Sequence, residues 1–462
     1  MENTAQESLM AETPLSMAHG REKERVVILG SGWAGYAFAR TLDPAKFERV
    51  IISPRSYFVF TPLLASTTVG TLETRTILEP VRRLRNIGFL QGWADDVDFT
   101  TKTGEMFDIS YDKLVIACGA YSQTFNIEGV REHAHFLRDI GDARRIRLRV
   151  LSLFEQCAYP TNAGCLTDDD KRTLLHFAIV GGGPTGIEFA AELHDLVYED
   201  LVRIYPNLVE FVRITVYDVA PKVLPMFDQA LSKYATDAFA RQGINVKTRH
   251  HLERLRQADG HLGSQHGALR IKIRECGDEE VGAGLVVWST GLMANPLVQK
   301  LAGKEFTLTK DTKTGGLVTD SYLRAQTHTS NGDNKPGYLP DVFIIGDCGA
   351  TMLGDDRSAL PKTAQVASQQ ATYLAKSLNK AYNGGSSSTS SKAAVKPFEF
   401  RNWGTMTYLG SWKAIHQSAA SRELKGWMAW VLWRGAYLTK SMSLKNKILV
   451  PVYWSCLKPH RR

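Results

Sequence analysis

An apolar run that ends in Gly-x-Gly-x-x-Gly occurs twice in this chain, and no other feature of the sequence restricts the fold as much. The first copy carries Val26-Val27-Ile28-Leu29 into Gly30-Ser31-Gly32-Trp33-Ala34-Gly35, and Tyr36-Ala37-Phe38-Ala39 follows. The second carries Phe177-Ala178-Ile179-Val180 into Gly181-Gly182-Gly183-Pro184-Thr185-Gly186, followed by Ile187-Glu188-Phe189-Ala190. Strand, tight turn and helix in that order open a dinucleotide-binding unit. The first glycine permits the turn, the second lets backbone approach a pyrophosphate, and the third lets the helix pack on the strand. The pyrophosphate then sits at the helix N-terminus, where free N–H groups and the dipole favour negative charge. A single such turn also ends ordinary strands. Two in the same context predict an α/β fold with two Rossmann-like units, each with its own dinucleotide.

The strands that follow each loop sharpen this. Val50-Ile51-Ile52-Ser53 places Ser53 where an acid often meets a ribose 2′-hydroxyl, with Arg55 close behind, so the first ligand stays open on this reading. Arg213-Ile214-Thr215-Val216-Tyr217-Asp218 places Asp218 at that point in the second unit, farther along than the usual ~20 residues because a long helix intervenes. An acid there accepts from both ribose hydroxyls and repels a 2′-phosphate, which favours NADH over NADPH. Strands from Tyr111 to Gly119 and from Leu285 to Gly291 end in small residues, which allow close approach. Asp341-Val342-Phe343-Ile344-Ile345 runs into Gly346-Asp347. Asp347 is either a turn residue or an acceptor for a hydroxyl on the cofactor's sugar chain. A helix follows from Leu360, with Gln365 and Gln369 one turn apart on one face.

Asp139 to Cys157 reads as a basic amphipathic helix. Thr167-Asp168-Asp169-Asp170 reads as a capped helix start, because the spaced ligands of a calcium loop are missing. The six cysteines, at 118, 157, 165, 276, 348 and 456, show no Cys-x-x-Cys spacing. Neither a disulfide framework nor a zinc site is expected, and the thiols suit an intracellular protein.

The net charge of the chain is +8, and residues 422–462, with nine Lys/Arg against Glu423, account for all of it. The remainder is balanced, so no nucleic-acid-binding face is expected. No apolar run reaches the ~18–20 residues needed to span a bilayer. Trp427, Trp430, Val431, Trp433, Tyr437 and Leu438 recur at helical spacing among Lys425, Arg434 and Lys440. That pattern suits a helix lying on an anionic membrane surface, or one docked on a partner subunit. Asn383 to Ser391 reads as a flexible linker, and residues 1–20 as acidic and disordered, unlike a mitochondrial presequence.

From about residue 25 onward the chain resembles the type II (alternative, rotenone-insensitive) NADH dehydrogenases, fungal type. These are the NADH:quinone oxidoreductases that do not pump protons. The resemblance is carried by Ser53-Pro54-Arg55 to Thr61-Pro62-Leu63-Leu64, Gly181 to Glu188, Ala364 to Gln369, and Tyr408-Leu409-Gly410. It implies FAD in the first unit, held by Gly30, Gly32, Gly35, Ser53, Arg55, Thr61, Pro62, Gly119 and Asp347. It implies NADH in the second, held by Gly181, Gly183, Gly186, Glu188, Asp218 and Gly291. Gln365 and Gln369 would line the quinone side of the flavin, and Glu188 would lie close to the nicotinamide–flavin stack, all three as catalytic residues. The implied layout is 1–24 disordered, 25–165 and 306–382 for FAD, 166–305 for NADH, 383–397 a linker, and 398–462 membrane-associating. A homodimer, peripheral on the mitochondrial inner membrane, is implied as well. The presequence such a location calls for is not visible.

Because no cysteine pair is spaced as an electron relay, disulfide and sulfide reductases are disfavoured. The acceptor should meet the flavin directly. The competing readings are a reductase of the apoptosis-inducing-factor or ferredoxin-reductase type with another acceptor, and a catalytically idle flavoprotein that binds a membrane partner.

Overall fold

The computed structural model describes residues 23–97, 109–159, 166–302, 308–327, 337–353, 358–382, 396–418, 423–440 and 444–456. The expectations for residues 1–20 and for the linker after Asn383 lie outside these. The chain forms two compact units, Met1–Phe58 with Pro80–Ala120 and Ala294–Phe400, and Val59–Glu79 with Tyr121–Met293 and Arg401–Arg462.

The first unit is built on a nine-stranded sheet. The strand Glu24–Leu29 lies between Phe47–Ser53 and Lys113–Ile116, parallel to both, with Val27 opposite Val50 and Leu114. Gly337–Ile344 continues the parallel set beyond Lys113–Ile116. Residues 25–29 are buried throughout. That explains the unbroken apolar run, since a central parallel strand is covered on both faces. The helices Trp33–Thr41 and Ala364–Ala381 pack against each other.

In the second unit a five-stranded parallel sheet runs in the order Asn245–Thr248, Arg213–Asp218, His176–Val180, Leu285–Trp288, His135–Phe136. Ile179 faces Val216 on one side and Val287 on the other. The basic helix expected from Asp139 is Ile140–Ala158, and it opens with a capping box between Asp139 and Asp142. The acidic triplet does the same work at Asp168–Leu174, where Thr167 and Asp170 cap reciprocally. The helix of the second glycine loop, Pro184–Asp195, continues through a π-helical turn over Leu196–Leu201.

The C-terminal part of this unit is an antiparallel sheet of Thr405–Tyr408, Ala414–Gln417 and Glu423–Gly426, followed by helices Trp427–Lys440 and Leu444–Cys456. Among the described residues no helix is long and apolar enough to cross a membrane. The tail tryptophans do not share one face. Trp433 and Trp454 are buried and Trp427 is exposed, together with Met428, Val431, Ile448 and Val452. The inward rings build the unit's own core, and shorter apolar side chains supply most of the outer face.

Candidate active site

The two glycine loops repeat one geometry. Gly30 and Gly181 leave their strands at φ +113° and +116°, in the region that only glycine enters without strain. The turn is pinned to the neighbouring strand by Gly30 N–H to the Ile52 carbonyl, and by Gly181 N–H to that of Tyr217, each at 2.8 Å. A Cβ on Gly35 would lie 1.9 Å from the Gly30 carbonyl oxygen, and one on Gly186 2.0 Å from that of Gly181. These two glycines let helix and turn touch.

Gly32 and Gly183 differ from these, since a Cβ there would meet nothing within 4 Å. Each is the residue before its helix, and neither helix start has a side-chain cap. Uncapped N–H groups beside open space form the cradle that a pyrophosphate fills. Both loops therefore fit a dinucleotide.

The second strands end differently. Ser53 is buried, and its hydroxyl hydrogen-bonds that of Ser31 at 2.9 Å. Asp218 accepts from the Gly182 N–H through one oxygen and from the Ala220 N–H, at 2.7 Å, through the other. Each carboxylate oxygen carries two lone pairs, so both keep acceptor capacity for a ribose. Arg55 is exposed beyond Ser53, while Thr61 and Pro62 begin the short turn Thr61–Leu63 in the second unit. Gly119 and Gly291 both take positive φ after their strands.

In the first unit Gly346 and Asp347 begin a single 3-10 turn. Gln365 and Gln369 lie half-buried on the helix Ala364–Ala381, which Thr363 caps. The sequence reading passed over Gln370. It is buried, accepts the Gly346 N–H at 2.7 Å and donates to Thr351 Oγ1 at 3.0 Å, and so clamps the turn that presents Asp347. Its adjacency to Gln369 was the available signal. Spacing also concealed a thiol pair. Cys118 and Cys348, far apart in sequence, share a hydrogen bond that, with burial, pushes the Cys118 thiol well up.

In the second unit Glu188 heads a column of carboxylates. Glu188, Glu192 and Asp195 recur on one face of their helix at successive turns, a spacing visible in sequence and overlooked there. Glu188 is buried and accepts the Tyr408 N–H at 3.1 Å. Burial pushes its carboxyl up to about 8, against the Tyr408 N–H and the Trp433 indole, and Glu192 adds to the rise. Glu192, also buried, accepts from the Ser66 hydroxyl at 2.5 Å and the Thr71 hydroxyl at 3.0 Å. Burial raises it to about 7, with Ser66 and then Thr71 and Arg434 opposing and Asp195 assisting. Asp195 accepts the Tyr408 hydroxyl at 2.7 Å. Arg434 stacks 4.0 Å over Trp430 and 4.5 Å over Trp454. Glu192, Asp195, Ser66, Thr71 and Arg434 line a cavity of about 80 Å³ that Glu188 does not reach.

Residues 24–371 match the pyridine nucleotide-disulphide oxidoreductase family, and residues 403–458 match the NDH2 C-terminal domain. A probable NADH dehydrogenase of Dictyostelium discoideum is 36% identical, over 94% of this chain and 89% of the relative. The mitochondrial external NADH-ubiquinone oxidoreductase 2 of Saccharomyces cerevisiae is 32% identical, over 95% of this chain and 82% of its own. Among solved structures, NDH2 from Plasmodium falciparum in complex with NADH superposes with a TM-score of 0.81 at 26% identity, covering 95% of this chain and 99% of that one. The chain belongs to the pyridine nucleotide-disulphide oxidoreductases, in the branch of alternative NADH dehydrogenases that carry an NDH2 C-terminal domain.

Proposed function

We propose that the chain is a type II NADH:ubiquinone oxidoreductase of the mitochondrion that transfers electrons without pumping protons. The observation that carries this is the doubled cradle, two uncapped helix starts beside open glycines, on a chain ending in an apolar-faced tail. FAD, when bound, would supply the redox chemistry that couples NADH oxidation to quinone reduction.

The chain's own residues bind and orient. Gly30, Gly32 and Gly35 hold the FAD pyrophosphate, Ser53 and Arg55 flank its adenosine side, and Gly119 and Asp347 meet the remainder. The family pattern adds Thr61 and Pro62. Gly181, Gly183 and Gly186 hold the NADH pyrophosphate, Asp218 its ribose hydroxyls, and Gly291 its far end. Gln365 and Gln369 face the quinone side, and Glu188 serves the proton exchange of the reaction. The ligand division follows: 25–165 and 306–382 for FAD, 166–305 for NADH, 398–462 for the membrane.

The tail binds the inner membrane peripherally. Exposed Trp427, Met428, Val431, Ile448 and Val452 meet lipid, and the Lys and Arg of 422–462 meet anionic headgroups. The enzyme works as a homodimer.

Proteoliposomes test this. With NADH and a short-chain ubiquinone the enzyme oxidises NADH and builds no membrane potential. Replacing the exposed Trp427, Val431, Ile448 and Val452 by Ser, which leaves the buried Trp433 and Trp454 in place, releases it from anionic vesicles and lowers the quinone rate more than the rate with a soluble dye. A potential built during turnover contradicts the non-pumping reading. Equal loss of both rates gives the tail a folding role only.

A further inference from the structure

Reduction of a quinone by NADH takes up one proton from water, because the hydride brings only one of the two hydrogens that quinol carries. The reaction is NADH + H⁺ + quinone → NAD⁺ + quinol. Glu188 is buried, and its carboxyl oxygen is engaged by the Tyr408 N–H. One helical turn away, Glu192 lines the cavity of about 80 Å³ and is held by two hydroxyls, Ser66 at 2.5 Å and Thr71 at 3.0 Å. That volume accommodates several waters, and its wall supplies the polar partners they need. Glu199 and the exposed Asp200 stand at its rim.

We propose that this cavity is the proton entrance of the enzyme, and that Glu192 passes the proton inward to Glu188. Protonated Glu192 gives its proton to ionised Glu188, the negative charge moves one turn along the helix, and a proton taken from bulk solvent and relayed through cavity water reprotonates Glu192. No net charge is created inside the protein, which is what makes the step affordable in a dry interior. The surroundings keep Glu192 titratable near neutrality. Burial and Asp195 favour the acid, while Ser66, Thr71 and the Arg434 guanidinium favour the carboxylate. Tyr408, which engages both Glu188 and Asp195, stays a neutral phenol because burial drives its pKa far up. The inference rests on the role given to Glu188 above.

The test uses the FAD-loaded full chain and Glu192→Gln, which keeps the volume and one acceptor but cannot titrate. Infrared titration of the unreduced enzyme is read first. A carboxylic acid band that disappears with a midpoint close to neutral pH in the wild type, and is missing in Glu192→Gln, is expected. No such band overturns the proposal. In turnover, Glu192→Gln lowers kcat with ubiquinone at least about tenfold, with an alkaline limb shifted to lower pH. Its KM for NADH and its rate with ferricyanide, which takes electrons without protons, stay unchanged. Glu192→Ala loses the same rate and recovers it with formate. Quinone and ferricyanide rates falling together, with no recovery by formate, make Glu192 structural and overturn the relay. Glu188→Gln separates the two claims. Full quinone activity in that variant removes the role of Glu188 itself, whereas loss in Glu188→Gln with none in Glu192→Gln removes only the entrance.

Discussion

The loop at Gly30 and the loop at Gly181 share a backbone and differ in how they are tied down. Both turn at the same φ, both press their third glycine onto the first one's carbonyl, and both leave their second glycine beside empty space. The first loop is then fastened by a neutral pair, the Ser31 and Ser53 hydroxyls, and the second by a charge, Asp218 on the Gly182 N–H. Backbone geometry fits both loops to the same group, a pyrophosphate. On the function proposed above, the fastening residue sets what else each ligand must carry. A neutral serine is indifferent to the adenosine end, and an aspartate demands two free ribose hydroxyls.

Substitutions at the third glycine break the shared half of that comparison and have the largest effect. Gly35→Ala and Gly186→Ala force a Cβ to within 2.0 Å of a backbone oxygen. Each is expected to cost about 3 kcal/mol in thermal melts. Gly35→Ala empties the flavin from the purified protein, seen as loss of the yellow absorbance, and Gly186→Ala keeps the flavin but loses NADH. Wild-type melting of either variant contradicts the close approach.

The second glycine separates ligand from fold. Gly183→Ala meets no protein atom, so stability changes by less than about 0.5 kcal/mol. The KM for NADH rises about tenfold, equivalent to about 1.4 kcal/mol of lost binding. A fall in stability as large as that of Gly186→Ala refutes an open cradle.

The fastening residues come next. Asp218→Ala frees the Gly182 and Ala220 N–H groups, raises the KM for NADH and narrows the preference over NADPH. Unchanged selectivity makes the acid a purely local clamp. Ser53→Ala removes one buried hydroxyl pair and costs about 1 kcal/mol with no change in nicotinamide preference.

A pH series sharpens a second contrast, since only the second unit carries the Glu188–Glu192 column. Carboxyls raised to about 8 and about 7 bind more protons folded than unfolded. Their contribution is fully present below the ordinary carboxylate range near 4.5 and is lost as pH rises through 7 to 8. Melting temperature therefore falls across that window, and the double variant Glu188→Gln with Glu192→Gln flattens the fall. An unaltered slope in the double variant contradicts burial as the cause.

Much of this molecule was legible in sequence where the physics is local. Strand–turn–helix follows from apolar runs and glycine spacing, and the caps at Asp139 and Thr167 follow from side chains that reach their own helix start. What stayed hidden depends on distant segments meeting. Glu192 was readable as one turn from Glu188, but Ser66, Thr71 and Arg434, which help set its proton affinity, arrive from two other parts of the chain. Cys118 and Cys348 met for the same reason, so cysteine spacing was an incomplete argument against a thiol pair. The tail tryptophans read as a face turned to a membrane or to a partner subunit because periodicity cannot tell an apolar face that looks outward from one that packs inward.

The measurement that bears most directly on the whole account is made without oxygen. The purified yellow protein is mixed with NADH while the flavin absorbance is followed, and a short-chain ubiquinone is then added. The account predicts fast bleaching by NADH and rapid recovery with the quinone. Bleaching without recovery contradicts the quinone as acceptor, and absence of bleaching contradicts the enzyme.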